Sequence, residues 1–372
     1  MKSIRVLHVD SEKGYGGGQR QLTFLLKSGK ENGLIQAVAC RDNSEIKNIA
    51  TSLNIKTFDI NQANSIDIIS SYKLKKIIDI FKPVIVHTHT SKSLAISFLQ
   101  KILFKSKYRA IYLNTRRVSF PLSGWFTKKK YLHGADVHIC VSKSTMNQLI
   151  AFGINTDKLV VIHSGIQIPK RIDKTSDRGE ILKLTGFSYN NLIIGSSGNL
   201  LPVKRFDWLI RAIKNVKKDI PNIKLVIFGD GQKMNDLTLL IQSLNIKDSV
   251  CLAGHKTDPE GFFSGLDIFC MTSELEGLSG SLMDAMVREV PLLGSNTSGI
   301  NDIIQHNENG LLFNVSSEQD LQEKLIELAS SHSLRIKLTK KSRNTAMEKF
   351  GIKSTTMQNI NFYKKILTLK HQ

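Results

Sequence analysis

Short runs of β-branched and other apolar residues alternate along the chain with longer segments in which apolar residues recur at helical spacing. The runs that predict strands in the first half are Ile4–Val9, Ile35–Cys40, Lys56–Phe58, Val84–His87, Ala110–Leu113, Val137–Val141 and Leu159–Ile162. Those in the second half are Ile193–Ser197, Lys224–Phe228, Val250–Leu252, Ile268–Met271, Pro291–Gly294 and Gly310–Phe313. Strands that alternate with helices are typical of parallel sheets covered on both faces. The pattern therefore predicts an α/β chain with two doubly wound, Rossmann-like sheets in tandem.

The length of 372 residues exceeds what one hydrophobic core usually serves, which indicates two domains. We predict an N-terminal domain over 1–166 and a C-terminal domain over 187–354. The linker between them, 167–186, contains Pro169, mixed charges and no clean period. The segment 355–372 is predicted as a helix that returns to the N-terminal domain. Because ligands of open α/β sheets bind beyond the carboxyl ends of the strands, we expect a ligand cleft between the domains.

The composition, with 41% hydrophobic and 23% charged residues, is that of a globular protein. No apolar run approaches the roughly 18 residues of a spanning helix, and the N-terminus enters a predicted strand without a cleavable signal pattern. The four cysteines are scattered and are predicted to be reduced packing residues. We therefore expect a cytoplasmic protein.

The net charge of +20 predicts an anionic partner or surface. Between Ile80 and Ala135 the sequence has no Asp or Glu, and its basic residues there are Lys82, Lys92, Lys101, Lys105, Lys107, Arg109, Arg116, Arg117, Lys128, Lys129 and Lys130. The apolar residues interleaved with them are Leu94, Ile96, Phe98, Leu99, Ile102, Phe104, Phe120, Trp125 and Phe126. Such a mixture suits an anionic lipid surface.

We therefore predict a face that contacts a lipid-linked acceptor or the inner side of the cytoplasmic membrane. Its residues are Arg116, Arg117, Lys128, Lys129 and Lys130. The alternative is that the interleaved apolar residues belong to the core and only the lysines are exposed.

Glycines dominate the segment that follows the first predicted strand, with three in succession at Gly16, Gly17 and Gly18. Glycine lets a backbone approach a ligand closely, and amides at a helix N-terminus attract anions. The run is not a complete Gly-x-Gly-x-x-Gly fingerprint, because Gln19 occupies the last position. Ligand binding is our prediction here, and an ordinary strand-to-helix turn is the alternative.

Two histidines, His87 and His89, lie at the end of the fourth predicted strand, where alternation points both side chains the same way. The pair suits hydrogen bonding to a substrate or proton handling. Metal ligation is less favoured, since no Cys, Asp or Glu cluster adjoins the pair in the sequence. We expect a structural role for at least one of the two.

Two further loops of the second half carry candidate chemistry. Lys204 and Arg205 follow the first strand of that half and suit a diphosphate, with an exposed surface pair as the alternative. In the other loop, a strand end and a Gly- and Ser-containing turn precede a helix that is predicted to begin near Ser281 and to offer free amides to phosphate. Glu276 and Asp284 flank this turn, and their carboxylates can accept hydrogen bonds from sugar hydroxyls. The alternative makes Asp284 a favourable first-turn acid and Glu276 a solvated loop residue.

The second of these loops resembles the donor-binding signature of the retaining family 4 glycosyltransferases, group 1 type, which have the GT-B fold. The residues that carry the resemblance there are Glu276-Gly277, Asp284–Met286, Pro291, Gly299, Asn301–Ile304 and Gly310–Phe313. Further matches are Gly16–Gly18, the strand ending at His89, Val161–Ile166, the Lys204 loop and Ile227–Gly231. The resemblance implies transfer of a sugar from a nucleoside-diphosphate sugar to a glycan or lipid-linked acceptor, in cell-surface polysaccharide or lipopolysaccharide synthesis.

The resemblance also implies roles for single residues. It makes Glu276 the contact to hydroxyls of the donated sugar and places His89 near that sugar, as the two catalytic residues. Asp284 would bind the ribose, and Lys204 would neutralise the diphosphate. The donor-binding residues that it implies are Gly16, Gly17, Gly18, Asn199, Lys204, Arg205, Gly277, Leu278, Ser279, Gly280 and Asp284.

Two positions depart from the family pattern. The family usually has Glu where this chain has Asp284, and often has Arg where this chain has Asn199. Arg205 is our candidate to replace the missing Arg of the diphosphate clamp.

We expect no cofactor and no metal, since no Asp-x-Asp motif occupies a suitable place and a cation with helix amides can stabilise departing phosphates. A nucleotide-sugar 2-epimerase of the same fold remains an alternative. So does a nucleic-acid-binding protein that uses the basic segment, although no known nucleic-acid module is present and the paired acids would repel phosphates. We expect no nucleic-acid partner.

Overall fold

A computed structural model of the chain describes residues 4–61, 66–118 and 122–369. The chain divides into two compact units, the first comprising the described residues of Met1–Gly165 and Ile352–Gln372, the second Ile166–Gly351. Each unit contains one parallel sheet covered by helices, which confirms the predicted pair of doubly wound sheets.

The first unit has a seven-stranded sheet in the order β3-β2-β1-β4-β5-β6-β7. Its strands are β1 (Arg5–Val9), β2 (Ile35–Cys40), β3 (Lys56–Asp59), β4 (Ile85–Thr88), β5 (Ile111–Arg116), β6 (Val137–Cys140) and β7 (Leu159–Val161). The helices between them are α1 (Gly17–Glu31), α2 (Glu45–Ser52), α3 (Ile68–Phe81), α4 (Ser91–Leu103), α5 (Trp125–His133) and α6 (Lys143–Ala151). The strand order reverses between β1 and β4, and such a switch point opens a crevice at the carboxyl ends of the strands.

The second unit has a six-stranded sheet in the order β10-β9-β8-β11-β12-β13, with its switch point between β8 and β11. Its strands are β8 (Leu192–Ser197), β9 (Ile223–Phe228), β10 (Val250–Leu252), β11 (Ile268–Met271), β12 (Leu292–Ser295) and β13 (Leu311–Phe313). Its helices are α7 (Lys174–Thr185), α8 (Phe206–Val216), α9 (Met234–Ser243), α10 (Gly280–Val287), α11 (Glu318–Ser330) and α12 (His332–Thr345).

Helices cover both faces of these sheets, so the central strands are buried on both faces and are mainly apolar. In β1, Val6 and Val9 are fully or almost fully buried although they point to opposite faces. On α1, Leu22 and Leu26 recur at helical spacing and are fully buried against β2. The continuous apolar runs of the sequence follow from this double coverage.

The segment predicted as a linker, 167–186, contains α7 and is part of the second unit. Ile181 is fully buried in the core of that unit, and Arg178 Nη1 donates to Asp267 Oδ2 at 2.8 Å. The side chain of Asp173 caps the helix by accepting from Ser176 N at 3.1 Å. The mixed charges of this segment thus serve as a cap and an anchor.

The last helix, α13 (Ile352–Leu369), belongs to the first unit and begins three residues before the predicted start at 355. Its Tyr363 is fully buried against β-strand residues such as Leu113 and Ile139. Among the described helices, none is long and apolar enough to cross a membrane.

Candidate functional site

In the second unit, Lys204 and Glu276 meet at the switch point of the sheet. Lys204 lies in the turn after β8 and Glu276 in the loop after β11, the two strands between which the order reverses. Lys204 Nζ forms an ion pair with Glu276 Oε1. Their side chains are only 20% and 12% exposed, so each charge has lost most of its water and depends on the other.

Hydrogen bonds tie the two loops together. Thr272 Oγ1 donates to the carbonyl oxygens of Lys204 at 2.8 Å and of Arg205 at 3.0 Å. Glu274 N donates to Val203 O at 2.9 Å. The end of β11 therefore fixes the backbone that carries Lys204.

A glycine after β12 makes room for the Glu276 loop. Gly299 has a φ of +88°, and a Cβ atom there would lie 2.4 Å from Glu276 O. Any other residue would meet both a strained backbone and a steric clash. Gly299 thus allows the Glu276 loop to pack closely against the backbone after β12.

The N-terminus of α10 lies in the same loop as Glu276. Ser279 caps the helix by accepting from Leu282 N at 3.3 Å, and the helix begins at Gly280, next to the predicted start near Ser281. Gly277 and Leu278 precede it, partly exposed. The first amides of a helix have no partner within it and carry its positive end, so this loop offers donors to an anion beside a lysine.

Asp284 lies four residues into α10 and is buried. Its Oδ1 is 3.3 Å from Arg288 Nη1, which also donates to Asp284 O at 3.2 Å. A guanidinium on one side holds the carboxylate in place on the helix that follows the Glu276 loop. Sequence reasoning missed this partner, although Arg288 follows at the i+4 spacing typical of helical ion pairs.

Asn199 and Arg205 are the other two residues predicted for the diphosphate in the loop after β8. Asn199 is exposed in the loop after β8. The guanidinium of Arg205 pairs with Glu274 and lies 4.2 Å from the centre of the Trp208 ring. The role of Arg205 as a diphosphate clamp stays a prediction, and it requires the guanidinium to leave Glu274.

In the first unit, the glycine-rich segment enters α1 and is organised by Gln19. Gly16 N donates to Gln19 Oε1 at 3.2 Å, and Gln19 Nε2 donates to Asp10 Oδ2 at 3.0 Å. Asp10 directly follows β1 and is buried, which raises the pKa of its carboxyl group. The residue that breaks the dinucleotide fingerprint thus links the glycine loop to an acid at the sheet edge.

The fold itself does not require the glycines of this loop. Gly16, Gly17 and Gly18 all have negative φ, and Cβ atoms there would come no closer than 3.5 Å to the rest of the described structure. The nearest side chain to Gly18 is Arg117, at 3.7 Å from the Cβ position. An exposed glycine loop without an internal steric reason favours close approach of a ligand.

Three buried histidines meet at the first unit's switch point. His87 and His89 of the β4 end have ring centres 4.2 Å apart, and His8 of β1 lies 5.3 Å from His89. His87 is held between Tyr363 Oη, 2.6 Å from Nδ1, and Thr115 Oγ1, 2.7 Å from Nε2. Its partners are all internal, which fits the expected structural role for one histidine.

Hydrogen bonds determine which nitrogen of His89 carries the proton. Gln36 Nε2 donates to Leu26 O at 2.9 Å, so Gln36 Oε1 faces His8 and can only accept, here from His8 Nε2 at 3.2 Å. Burial lowers the pKa of His8 to about 4, so its ring is neutral and Nδ1 is an acceptor. His89 Nε2, 3.1 Å away, must therefore donate to His8 Nδ1.

His89 Nδ1 is then an unprotonated acceptor, and it is buried without a hydrogen-bond partner in the described structure. Burial also lowers the pKa of His89 well below its usual value, with neighbouring His87 adding to the effect. An imidazole held neutral with one free lone pair can accept a hydrogen bond from a hydroxyl group. Sequence reasoning missed His8 and Gln36, although a polar residue inside the apolar run Ile4–Val9 was a signal.

The three histidines also come close enough to hold a metal ion, with one ligand atom of each within 4.8 Å of the others. His8 and His87, however, already use both ring nitrogens in hydrogen bonds. Metal binding would break several of these bonds. The arrangement fits a hydrogen-bonded group better than a metal centre.

The predicted acceptor face needs correction at two residues. Arg116 is buried at the end of β5, where its Nη1 donates to Tyr131 Oη at 2.8 Å. Lys130 is buried on the inner side of α5, and its Nζ donates to Ser91 Oγ at 2.7 Å. Both cations have internal partners, so neither forms part of an exposed basic face.

The other three basic residues of the predicted acceptor face differ in how exposed they are. Lys128 is exposed and Lys129 is partly exposed, with its Nζ 5.9 Å from the ring of exposed Trp125. Arg117 lies partly buried beneath the glycine loop, where burial lowers its pKa to about 10. Phe120 lies outside the described residues.

The apolar residues of the basic segment also differ in burial, since some are in the core and others are exposed. The side chains that are core residues are Leu94, Ile96 and Phe98. For these three, the alternative interpretation is confirmed. Ile102 remains exposed.

Comparison with known proteins gives two adjoining family matches. Residues 15–168 match the family described as Glycosyltransferase Family 4, and residues 177–345 match Glycosyl transferases group 1. The N-acetyl-alpha-D-glucosaminyl L-malate synthase of Bacillus anthracis is 26% identical over 256 residues, 63% of this chain and 67% of that protein. The UDP-Gal:alpha-D-GlcNAc-diphosphoundecaprenol alpha-1,3-galactosyltransferase of Escherichia coli is 25% identical over 304 residues, 77% of this chain and 75% of that protein.

Among solved structures, Anabaena Alr3699/HepE in complex with UDP-glucose has the same fold, with a TM-score of 0.81 at 17% identity. The likeness covers 98% of this chain and 99% of that one. The two family matches span both units, and the solved structure shares their architecture. The chain therefore belongs to the GT-B glycosyltransferases of family 4, group 1 type, and is a sugar-transferring enzyme.

Proposed function

We propose that this enzyme transfers a sugar from a nucleoside-diphosphate sugar to a glycan or lipid-linked acceptor with retention of configuration. The observation that carries the proposal is the Lys204–Glu276 ion pair beside the N-terminus of α10. A diphosphate needs a cation and amide donors, and a sugar needs acceptors for its hydroxyl groups. One loop system offers all three. The UDP-glucose bound by the structurally similar Anabaena protein supports this donor class.

Donor binding would exchange the partner of Lys204. In the pair as described, Glu276 compensates the ammonium group. A diphosphate that binds here competes with Glu276 for that ammonium group. When the ammonium group pairs with phosphate instead, the Glu276 carboxylate can accept hydrogen bonds from sugar hydroxyl groups. The lysine thus has an anionic partner before and after the exchange, and the sugar hydroxyl groups replace it as the hydrogen-bond partners of Glu276.

In the transfer step, the bond between the sugar C1 and the phosphate oxygen breaks as negative charge grows on the departing diphosphate. Lys204 and the first amides of α10 stabilise that charge, which is the largest contribution we assign to the protein. The acceptor oxygen forms its bond to C1 on the same face, and its proton passes to the departing phosphate. This account assigns no step to a metal ion.

Other residues would hold the substrates. Asp284, kept in place by Arg288, accepts from the ribose hydroxyls, although it is one methylene shorter than the residue usual in the family. In the first unit, His89 Nδ1 accepts from a substrate hydroxyl. The amides of the Gly16–Gly18 loop contact an anionic group, a role supported by glycines that the fold does not require.

Our proposal for the acceptor class depends on the charge of the chain, because the relatives have different acceptors in their names. One carries L-malate in its name and the other a diphosphoundecaprenol-linked sugar. The net charge of +20 favours an anionic acceptor, and a lipid-linked diphosphate has that character.

A panel of nucleoside diphosphates in a thermal-shift assay tests the donor. The matching nucleotide at about 100 times its Kd is expected to stabilise the protein by about 2.7 kcal/mol, with or without EDTA. Lys204→Met should lose this shift, whereas Lys233→Met, at a lysine that pairs with Asp236 on the exposed surface, should keep it. Absence of any shift would contradict the proposal.

Product analysis tests the reaction. NMR of the glycoside should show the anomeric configuration of the donor, and EDTA should leave the rate unchanged. An inverted product would refute retention. Release of free sugar as the main product, with the acceptor present, would favour an epimerase or hydrolase instead.

A further inference from the structure

Exposed apolar side chains are concentrated on one part of the first unit. Of the 18 large apolar or tyrosine side chains that are exposed within the described residues, eight lie between 66 and 108. They are Ile66, Ile68, Ile69, Tyr72, Ile80, Ile102, Leu103 and Tyr108. Single exposed apolar residues need no explanation, but a cluster on one surface usually marks an interaction site.

Five of the residues on α3 share its outer face. Ile69, Tyr72, Lys73, Lys76 and Ile80 recur at spacings of three and four and are all exposed, while Leu74, Ile77 and Ile78 are buried. Ile69 is 72% and Ile80 64% exposed. The helix therefore has a second apolar stripe, interrupted by lysines, on the side away from the core.

The segment after α4 lies along this outer face. The rings of Tyr72 and Phe104 meet edge to face with centres 5.2 Å apart. Asp79 accepts from Ser106 Oγ at 2.5 Å and from Lys107 N at 2.9 Å. These contacts join the outer face of α3 and residues 102–109 into one continuous area, here named the α3–α4 surface.

The charges of the α3–α4 surface have one sign. Its exposed cations are Lys73, Lys76, Lys82, Lys105, Lys107 and Arg109. The sequence from 66 to 109 contains only two acids, Asp67 and Asp79. Asp67 accepts from Ser70 N at 2.8 Å as the helix cap, and Asp79 pairs with Lys75 Nζ at 2.7 Å. Both carboxylates thus have local partners.

We propose that the α3–α4 surface docks on an anionic lipid bilayer. Aliphatic side chains on a helix face can enter the headgroup region while the surrounding lysines meet the anionic lipids. One of these lysines already contacts an aromatic ring of the surface, with Lys76 Nζ 4.7 Å from the centre of the Tyr72 ring. Arg116 and Lys130 are buried and are not part of this interface.

Vesicle flotation tests this directly, without any use of transferase activity. The intact protein should float with vesicles of phosphatidylcholine and phosphatidylglycerol and remain unbound with phosphatidylcholine alone. Equal binding to both vesicles, or to neither, overturns the proposal. A surface that docks a protein partner instead would give the last of these results.

Matched variants locate the contact. Ile69→Glu with Ile80→Glu should reduce vesicle partitioning at least tenfold, whereas Leu239→Glu, a change at a 64% exposed residue of the second unit, should not. Lys73→Gln with Lys76→Gln should reduce it roughly 30-fold, since each basic residue contributes about 1 kcal/mol near an anionic surface. The control pair is Lys337→Gln with Lys341→Gln, at exposed positions of α12. All substituted residues are exposed, so the variants should fold. Equal losses in test and control pairs, or no loss in either, would refute the assignment.

Discussion

The switch points of the two sheets differ in the charge of the side chains that meet there. In the second unit, the switch point holds full charges, with Lys204 paired to Glu276. In the first unit, the corresponding edge holds imidazoles that burial keeps neutral, His8 and His89 among them. Charged groups suit a diphosphate donor, which is negatively charged when it binds and gains more negative charge as the diphosphate departs. Neutral groups with a fixed proton position suit hydroxyl groups, where orientation matters more than charge.

The largest effect expected from this difference concerns Glu276. Glu276→Gln removes a carboxylate that accepts from the sugar and leaves Lys204 without its anion, so we expect the transfer rate to fall by about 10²–10³. Steady-state kinetics at saturating donor measure it. Glu274→Gln is the matched control, because this acid of the same loop pairs with Arg205 at the surface, and should change the rate less than tenfold. Equal losses in both variants would show that the loop, rather than the Glu276 carboxylate, matters.

A smaller effect is expected from Gln36, which contacts no substrate in our account. Gln36→Leu removes the acceptor that fixes the proton on His8 Nε2, and so allows His89 to change tautomer. The expected fall in kcat is about tenfold, which corresponds to about 1.4 kcal/mol and is typical of one hydrogen bond. Gln100→Leu is the control, at another buried glutamine of the first unit, and is expected to keep the wild-type kcat if the protein folds.

NMR separates a positioning role from simple destabilisation. The ¹⁵N shifts of His89 should show an unprotonated Nδ1 in the wild-type protein and a mixture of tautomers in Gln36→Leu. An unchanged His89 spectrum in Gln36→Leu would contradict the proposed chain of hydrogen bonds, whatever the kinetics.

The central strands were predictable because they are buried on both faces and form mainly apolar runs in the sequence. Val250–Leu252 and Ile268–Met271 have the predicted bounds. Helix α7 was not predicted within the segment 167–186, because the helix buries little more than Ile181 and so has no apolar period in the sequence. Helical periodicity depends on a buried stripe, and here one isoleucine and Arg178 hold the helix.

The site was predictable where chemistry lies in one loop, and less so where it comes from distant strands. The spacing of Glu276 and Asp284 is visible in the sequence because both flank one turn. The pairing of Lys204 with Glu276, 72 residues apart, and of His8 with His89, 81 residues apart, depends on the strand order. The exposure of each lysine in the basic segment was also not predictable, because the sequence does not show whether the amine of a lysine such as Lys130 contacts water or Ser91.

The switch points of the two sheets also differ in how their buried groups respond to pH. An unfolded histidine binds its proton near pH 6.5, whereas folded His8 does so only near pH 4. Between these values the unfolded chain binds more protons, so the free energy of unfolding falls as the pH is lowered, by up to about 1.4 kcal/mol per pH unit for each such histidine. The buried His87, His89 and His138 share this sign, while the raised pKa of Asp10 opposes it at the acid end.

Urea unfolding at pH 7.5, 6 and 5 measures this slope. His8→Asn should show a shallower slope than the wild type, because asparagine does not titrate, even if the variant is less stable at every pH. His255→Asn, at an exposed histidine of the second unit, should leave the slope unchanged. If His8→Asn kept the full wild-type slope, His8 would not be neutral in the folded protein. The tautomer assigned to His89 would then lose its basis, since a protonated His8 donates from both nitrogens and cannot accept.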